Sequence, residues 1–124
     1  MPTQHQSDLG EQGEELACRE LRRRGYAILA RRYRTRHGEI DIVARDAGVL
    51  VFVEVKARSH QRFGGPLAAV TRLKQRKLTR MALDYLTRNR TAGVPCRFDV
   101  VAVEVGERQP RVVVVTDAFP AAAR

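Results

Sequence analysis

The chain has 124 residues, 44% of them hydrophobic and 30% charged, a composition that fits one soluble globular domain and argues against a disordered chain. Its formal net charge of +9 favours polyanionic partners, nucleic acid first and an anionic membrane surface second, although a solvated basic surface is the plainer alternative. No apolar segment reaches the ~18 residues that span a bilayer, and the polar N-terminus lacks the apolar core of a signal peptide. We therefore expect a cytoplasmic protein that does not contact membranes.

Hydrophobic periodicity and turn residues divide the chain into two helices and five strands. In chain order the sequence predicts a flexible tail (1–9), a helix (11–24), strands (26–29, 39–44 and 49–57), a loop (60–66), a helix (71–88), strands (97–105 and 111–115) and a C-terminal tail (120–124). Residues 10–119 should form a single domain. The second helix can serve as a crossover that makes the third and fourth strands parallel. We therefore predict an α/β fold with a mixed central sheet flanked by helices.

The tripeptide Glu54-Val55-Lys56 closes the apolar run 49–53, which is typical of a strand buried on both faces. Side chains alternate along a strand, so Glu54 and Lys56 share one face. Opposite charges at the end of a core strand are costly unless they pair or bind something. The two residues could form a structural ion pair, or a catalytic group with Asp41 on the preceding strand, and spacing alone leaves both readings open.

The register of the hairpin decides whether Asp41 meets this pair. If residues 46–47 form the turn, Asp41 faces Phe52 across the ladder, and Asp41, Glu54 and Lys56 project from the same face. Two carboxylates at such diagonal positions can converge on one Mg²⁺ or Mn²⁺ ion, which prefers oxygen ligands. Lys56 could then position a metal-bound water or stabilise negative charge on a phosphate. The pattern therefore indicates a metal-dependent phosphodiesterase site.

Two helical residues extend this predicted site. Glu14 lies on the apolar face of the first helix, where it is either a third metal carboxylate or an acid stabilised by the helix dipole. Lys74 stands one turn before Leu78 and should face the sheet, where it either contacts a phosphate or snorkels to the rim. Lysine is rare here, because 20 of the 23 basic residues are arginine. A position that remains lysine is a candidate for a role that needs a compact ammonium.

Several arginines flank the predicted site in sequence and are candidate phosphate contacts, although each alone is more often a surface charge. The predicted nucleic-acid-binding residues are Arg32, Arg34, Arg58, Arg62 and Arg72. The two cysteines, Cys18 and Cys96, have neither a cysteine nor a histidine at zinc-site spacing, so we expect reduced core residues.

Five segments together resemble the bacterial YraN family of uncharacterised proteins over about residues 10–119. They are GEELACRELRRRGYAIL, GEIDIVARD, LVFVEVKARS, FGGPLAAVTRLKQRKL and CRFDVVAVEV. That family resembles archaeal Holliday-junction resolvases and, by similarity, the PD-(D/E)XK restriction-endonuclease-like superfamily. The resemblance implies an αβββαβ core, a Mg²⁺-type site and nucleic-acid binding. It places the nuclease acids on Asp41 and Glu54, the lysine on Lys56, the helical acid on Glu14 and a further basic residue on Lys74.

These observations give a first hypothesis and an alternative. The first is a small Mg²⁺-dependent endonuclease that acts on nucleic acid, DNA before RNA, with branched or damaged structures as candidate substrates. A junction-cutting enzyme would act as a homodimer, but the sequence leaves the oligomeric state open. In the alternative, the chain is a DNA- or RNA-binding module on a nuclease scaffold, without catalysis. Fold alone does not decide between them.

Overall fold

Over the residues that the structure describes, two helices cover opposite faces of a five-stranded sheet. A computed structural model describes residues 4–59, 70–106 and 108–121, with the side chains of residues 4–8 and 59 outside that description. The elements are α1 (Gln4–Arg23), β1 (Ala27–Thr35), β2 (Gly38–Asp46), β3 (Val49–Ser59), α2 (Arg72–Arg88), β4 (Cys96–Val105) and β5 (Arg111–Phe119). The strands lie side by side in the order β1-β2-β3-β4-β5. The predicted mixed α/β fold is therefore confirmed.

The sheet is mixed because α2 crosses over between two of its strands. β3 and β4 are parallel, whereas each of the other neighbouring pairs is antiparallel. This agrees with the prediction that a helix between the third and fourth strands makes them parallel. Thr71 caps α2 as expected, since its hydroxyl accepts the backbone N–H of Lys74.

Each face of the sheet has its own apolar core. On one face, Ala17, Cys18 and Leu21 of α1 pack over Val51 and Val53. On the other, Leu78, Met81 and Tyr85 of α2 pack with Phe52 and Phe98. The central strand β3 is therefore buried on both faces, as its apolar run predicted. Within the described residues, no helix is long and apolar enough to cross a bilayer.

Element boundaries differ from the sequence prediction at both ends of the chain. The first helix begins at Gln4 rather than near Glu11, so residues 4–9 are helical where a tail was expected. Polar helix starts give little periodic signal, which explains the difference. The last strand continues to Phe119 instead of ending at Val115, because Phe119 stacks on Phe98 of β4 with ring centroids 5.0 Å apart. The predicted loop of residues 60–66, which includes Arg62, lies outside the described residues.

The turn between β2 and β3 is also displaced from its predicted position. Asp46 pairs with Val49, so Ala47 and Gly48 form the turn, and the prediction of a turn at Asp46 and Ala47 was wrong. Asp46 remains in the strand because its carboxylate accepts a hydrogen bond of 2.9 Å from Arg97 of β4. The observed register brings Asp41 level with Glu54 instead of Phe52. Because the shift is by two positions, the paired residues 42–46 and 49–53 keep their predicted faces.

Candidate active site

Three elements bring two acidic and two basic side chains together beside the end of β3. Glu54 and Lys56 project from the α2 face of β3, two and four positions after Phe52. Lys74, in the first turn of α2, extends towards the sheet. Its Nζ lies 3.0 Å from Glu54 Oε1, and Lys56 Nζ lies 3.6 Å from the same oxygen. The prediction that Lys74 faces the sheet is confirmed, and Glu54 is buried between two ammonium groups.

Asp41 joins this group where the β2–β3 ladder ends. The last paired residues are Ile42 and Val53. Beyond them, Asp41 Oδ2 accepts the backbone N–H of Val55 at 2.8 Å, so the side chain replaces a ladder partner. Asp41 Oδ1 has no hydrogen-bond partner in the part of the chain that the structure describes. One oxygen is therefore fixed and the other is available to a ligand.

Strand alternation breaks at Asp41. Regular alternation would place Ile40 with Ile42 in the core beneath α1, but Ile40 packs with Val43 in the core beneath α2. Across the ladder the register of β1 brings Arg32 opposite Asp41, and Arg32 has a left-handed φ of 52°. Such a backbone is uncommon for a residue other than glycine. Both strands are thus distorted together where the candidate site lies.

Burial and mutual repulsion shift the proton affinities of these groups. Burial, followed by the negative charge of Glu54, raises the pKa of Asp41 from 3.8 to about 7. Burial and the neighbouring Lys74 ammonium lower the pKa of Lys56. Burial also acts to lower the pKa of Lys74, but Lys56 and the Glu54 carboxylate more than offset it, and the net pKa is raised. Asp41 is therefore close enough to Glu54 for the Glu54 charge to oppose its ionisation.

The predicted third carboxylate, Glu14, is engaged elsewhere. Its Oε1 accepts a hydrogen bond of 3.0 Å from Arg31 Nε, and its Oε2 accepts one of 3.1 Å from Arg32 Nε. Glu14 is buried, and both guanidiniums come from β1. The described residues contain no group of three or more His, Cys, Asp or Glu side chains that could hold a metal ion. A metal-binding role for Glu14 stays a prediction.

A close helix–strand approach sets the position of Glu14. A Cβ at the preceding residue, Gly13, would lie 2.5 Å from the Cβ of Ala57 on β3. Such a contact is shorter than side chains tolerate, so only glycine allows α1 to lie this close to the sheet. No spacing pattern predicts this contact, because it joins residues that are distant along the chain.

Asp41 and Glu54 fit a divalent cation of the magnesium type. Such ions take carboxylate and carbonyl oxygens and retain several waters, so two protein carboxylates suffice. Burial, with the negative charge of Glu54 second, raises the pKa of Asp41. A cation held by both acids would offset that negative charge and could use Asp41 Oδ1, which has no hydrogen-bond partner among the described residues.

The predicted nucleic-acid contacts differ in their surroundings. Arg32 pairs with Glu14, Arg34 with Glu39 at 3.3 Å, and Arg58 with Glu104 at 3.6 Å. Arg58 Nε is buried without a hydrogen-bond partner among the described residues. Arg72 is exposed in the first turn of α2, and Arg62 lies outside the described residues. Their roles as phosphate contacts remain predictions.

A second buried polar cluster lies on the α1 side of the sheet. Asp99 is fully buried. Its carboxylate accepts hydrogen bonds from Tyr26 Oη at 2.9 Å, Arg97 Nε at 3.0 Å and the backbone N–H of Asp117 at 2.9 Å. Because every partner is a protein group, the cluster ties β4 to β5 and to the entry of β1. These contacts give Asp99 a structural role.

Comparison with known proteins places this arrangement in one family. The model for "Uncharacterised protein family UPF0102" matches residues 13–103, which include Glu14, Asp41, Glu54, Lys56 and Lys74. A UPF0102 protein of Symbiobacterium thermophilum is 55% identical over 98 residues, covering 79% of this chain and 83% of its own length. One from Geobacter metallireducens is 44% identical over 115 residues, covering 93% and 94%. UPF0102 is the YraN family, so the resemblance to that family is confirmed.

Proposed function

We propose that this chain, which belongs to the uncharacterised protein family UPF0102, hydrolyses phosphodiester bonds in nucleic acid with the help of a divalent cation. The observation that supports this most is the meeting of Asp41, Glu54, Lys56 and Lys74 at one distorted end of the sheet. Perturbed, mutually coupled ionisable groups of this kind cluster at functional sites. The resemblance to junction-cutting nucleases favours DNA with branched or damaged structure.

Asp41 and Glu54 would hold the cation, Mg²⁺ or Mn²⁺. When bound, such an ion lowers the pKa of a coordinated water and offsets the negative charge of a phosphate. The protein's own groups hold the two acids in position. The Val55 N–H fixes one oxygen of Asp41, and Lys74 holds Glu54 from above. These contacts orient both acids before any ligand arrives.

Lys56 is positioned to act on the reacting phosphate. Burial and the neighbouring Lys74 ammonium lower its pKa, so Lys56 gives up a proton more readily than an exposed lysine does. In the hydrolysis, a water oxygen forms a bond to phosphorus, and the phosphorus–oxygen bond to the departing strand breaks. The attacking water gives up one proton to solvent, and the departing oxygen takes up one, so the step is balanced. Lys56 would hold the attacking water or stabilise the charge on the phosphate oxygens.

Arg58 is a further phosphate contact in this proposal. It lies two residues after Lys56 on the same face of β3, and its buried Nε has no partner within the described residues. The Nε is shielded from solvent, so a phosphate would contact the partly exposed terminal nitrogens of the guanidinium, which also pairs with Glu104 at 3.6 Å.

The alternative function is nucleic-acid binding without cleavage. The contacts of Glu54 favour it, because two lysines already compensate its charge. A satisfied ion pair needs no metal. In this case the site would be structural, and the basic surface would be the functional part of the molecule.

A cleavage assay separates the two functions. Junction, flap and single-stranded DNA, together with matched RNA, would be incubated with the protein and Mg²⁺ or Mn²⁺. We expect cleavage by the wild-type protein and by Glu15→Gln, which alters an exposed acid on α1. Asp41→Asn and Lys56→Ala should each reduce the rate at least 100-fold, the usual scale for a lost acid–base or charge-stabilising group. Binding without cleavage under both metals would support the alternative.

A further inference from the structure

The outer face of α2 presents a row of cations to solvent. Arg72, Arg76 and Arg80 follow one another at intervals of four residues, and all three are exposed, as is Lys77 beside them. At about 100° per residue, these arginines lie within roughly 80° of one another on the helix surface. Their stripe is opposite the buried side chains of Leu78 and Tyr85. We call Arg72, Arg76, Lys77 and Arg80 the α2 basic stripe.

No acidic side chain neutralises the α2 basic stripe within the described parts of the chain, where none of its four residues has an ion-pair partner. The only acid of α2 is Asp84, which pairs with Arg88 at 3.2 Å in the last turn. Exposed side-chain charge on this face is therefore of one sign.

The arginines of α1, on the opposite side of the sheet, have a different environment. Arg19 pairs with Glu15 at 3.8 Å, and both Arg23 and Arg24 pair with Glu20 at 2.6 and 2.8 Å. Three arginines in and just after α1 are thus compensated by acidic neighbours, whereas the four cations of the α2 basic stripe, which lie close together, have no ion-pair partner among the described residues.

We propose that the α2 basic stripe is the surface that binds the phosphate backbone of nucleic acid. Arg72 to Arg80 extend about 12 Å along the helix axis. Phosphates on one strand of a duplex recur about every 3.4 Å along its axis, so the stripe can contact three to four of them. The stripe starts in the helical turn that contains Lys74, so a bound strand runs from the candidate site along α2. That direction rests on the proposed function, whereas binding itself does not.

The surroundings of the stripe favour nucleic acid over a membrane surface. A helix that lies in a membrane interface must insert an apolar face. The apolar face of α2, with Leu78, Met81 and Tyr85, is buried against the sheet. Leu73 is the one strongly exposed large hydrophobic residue on this helix, at 63% exposure. Positive charge without an available apolar face matches a phosphate backbone.

Two triple variants with equal change in net charge test the proposal. Arg76→Gln/Lys77→Gln/Arg80→Gln alters the α2 basic stripe, and Arg19→Gln/Arg23→Gln/Arg24→Gln alters the compensated arginines of α1. Affinity for a fluorescent DNA duplex and an RNA duplex would be measured by anisotropy over a range of salt concentrations, in EDTA. Circular dichroism melting would confirm that both variants fold.

We expect the α2 variant to bind at least tenfold more weakly. The slope of the logarithm of its binding constant against the logarithm of salt concentration should become shallower by about 0.9 for each phosphate contact removed. The α1 variant should bind within about threefold of wild type. Equal loss in both variants would overturn the proposal in favour of diffuse attraction by net charge. The proposal would also be overturned if the α2 variant bound nucleic acid normally but no longer bound vesicles of anionic phospholipid.

The same assay keeps this inference separate from the proposed function. Asp41→Asn should retain the binding of the wild-type protein, because the stripe does not include the candidate site. If the wild-type protein binds through α2 but cleaves nothing, the hydrolytic proposal fails and the binding surface stands. If the wild-type protein cleaves nucleic acid, and the α2 variant both binds and cleaves as well as the wild type, the proposed binding surface is wrong and the hydrolytic proposal stands.

Discussion

Lys74 Nζ lies 3.0 Å from Glu54 Oε1, which joins the first turn of α2 to the end of the central strand β3. The same oxygen lies 3.6 Å from Lys56 Nζ. One carboxylate therefore keeps two ammonium groups together on the α2 face of the sheet. The contact connects the crossover helix to the strand that it follows, so the fold itself assembles the candidate site.

Replacing Glu54 by glutamine should destabilise the protein. The change leaves Lys56 and Lys74 facing each other with no negative charge between them. Both lysines are partly exposed, with side chains 26% and 36% accessible, so water screens much of the repulsion. We expect a loss of about 1–2 kcal/mol in the free energy of unfolding, measured by urea denaturation. Glu15→Gln should change it by less than about 0.5 kcal/mol, and an equally small effect at Glu54 would show that the pairs contribute nothing.

Stability should depend on pH through Asp41. Folding raises the pKa of Asp41 from 3.8 to about 7, so the folded state binds more protons than the unfolded state within that window. The contribution of Asp41 to stability is then present in acid, falls as the pH rises from about 4 to about 7, and is constant above. Denaturation of metal-free protein at a series of pH values would measure it, as the difference between wild type and Asp41→Asn. A difference that does not vary with pH would contradict the raised pKa.

Divalent cations should bind with release of a proton from Asp41. Metal ligands must be deprotonated, so binding at pH 6 competes with the proton and binding at pH 8 does not. Calorimetric titration with Mn²⁺ should show tighter binding at pH 8, and heats that vary with the buffer at pH 6. Asp41→Asn should weaken binding at least tenfold, whereas Glu39→Gln, an exposed acid on the same strand, should have little effect. Equal affinity in wild type and Asp41→Asn would exclude this site.

Gly13 should tolerate alanine only if its neighbour is made smaller. An added Cβ would lie 2.5 Å from Ala57 Cβ, which forces α1 away from β3. Overpacking of this kind costs about 1–3 kcal/mol. We expect Gly13→Ala to lower the thermal midpoint and Gly13→Ala/Ala57→Gly to recover part of the loss. The absence of recovery in the double variant would show that the contact with Ala57 is not the cause.

The parts of this structure that sequence could predict have strong local signals. The apolar run before Glu54 defined β3, and the stripe of Leu78, Met81 and Tyr85 defined α2 and placed Lys74 towards the sheet. Alternation along β3 put Glu54 and Lys56 on one face. These periodicities depend on neighbouring residues alone, which is why the structure confirms the elements that they predicted.

The features that sequence could not predict depend on contacts between distant residues. The β2–β3 turn lies one residue later than predicted, because Arg97 holds Asp46 in the strand. Both oxygens of Glu14 accept hydrogen bonds from β1, an arrangement that depends on how closely α1 packs at Gly13. The left-handed backbone of Arg32 accompanies the break in alternation at Asp41. No local pattern records such pairings, and each of them shapes the candidate site.

The most direct test of the account is the single-turnover cleavage rate of a junction DNA in Mg²⁺ for the wild-type protein and for Asp41→Asn, with both proteins saturating the substrate. We predict a measurable wild-type rate that EDTA abolishes and a rate at least 100-fold lower for Asp41→Asn, although the two proteins bind the junction equally. Equal cleavage by both proteins would show that the reaction takes place without the carboxylate that meets Val55 and Glu54, and would contradict the proposed site.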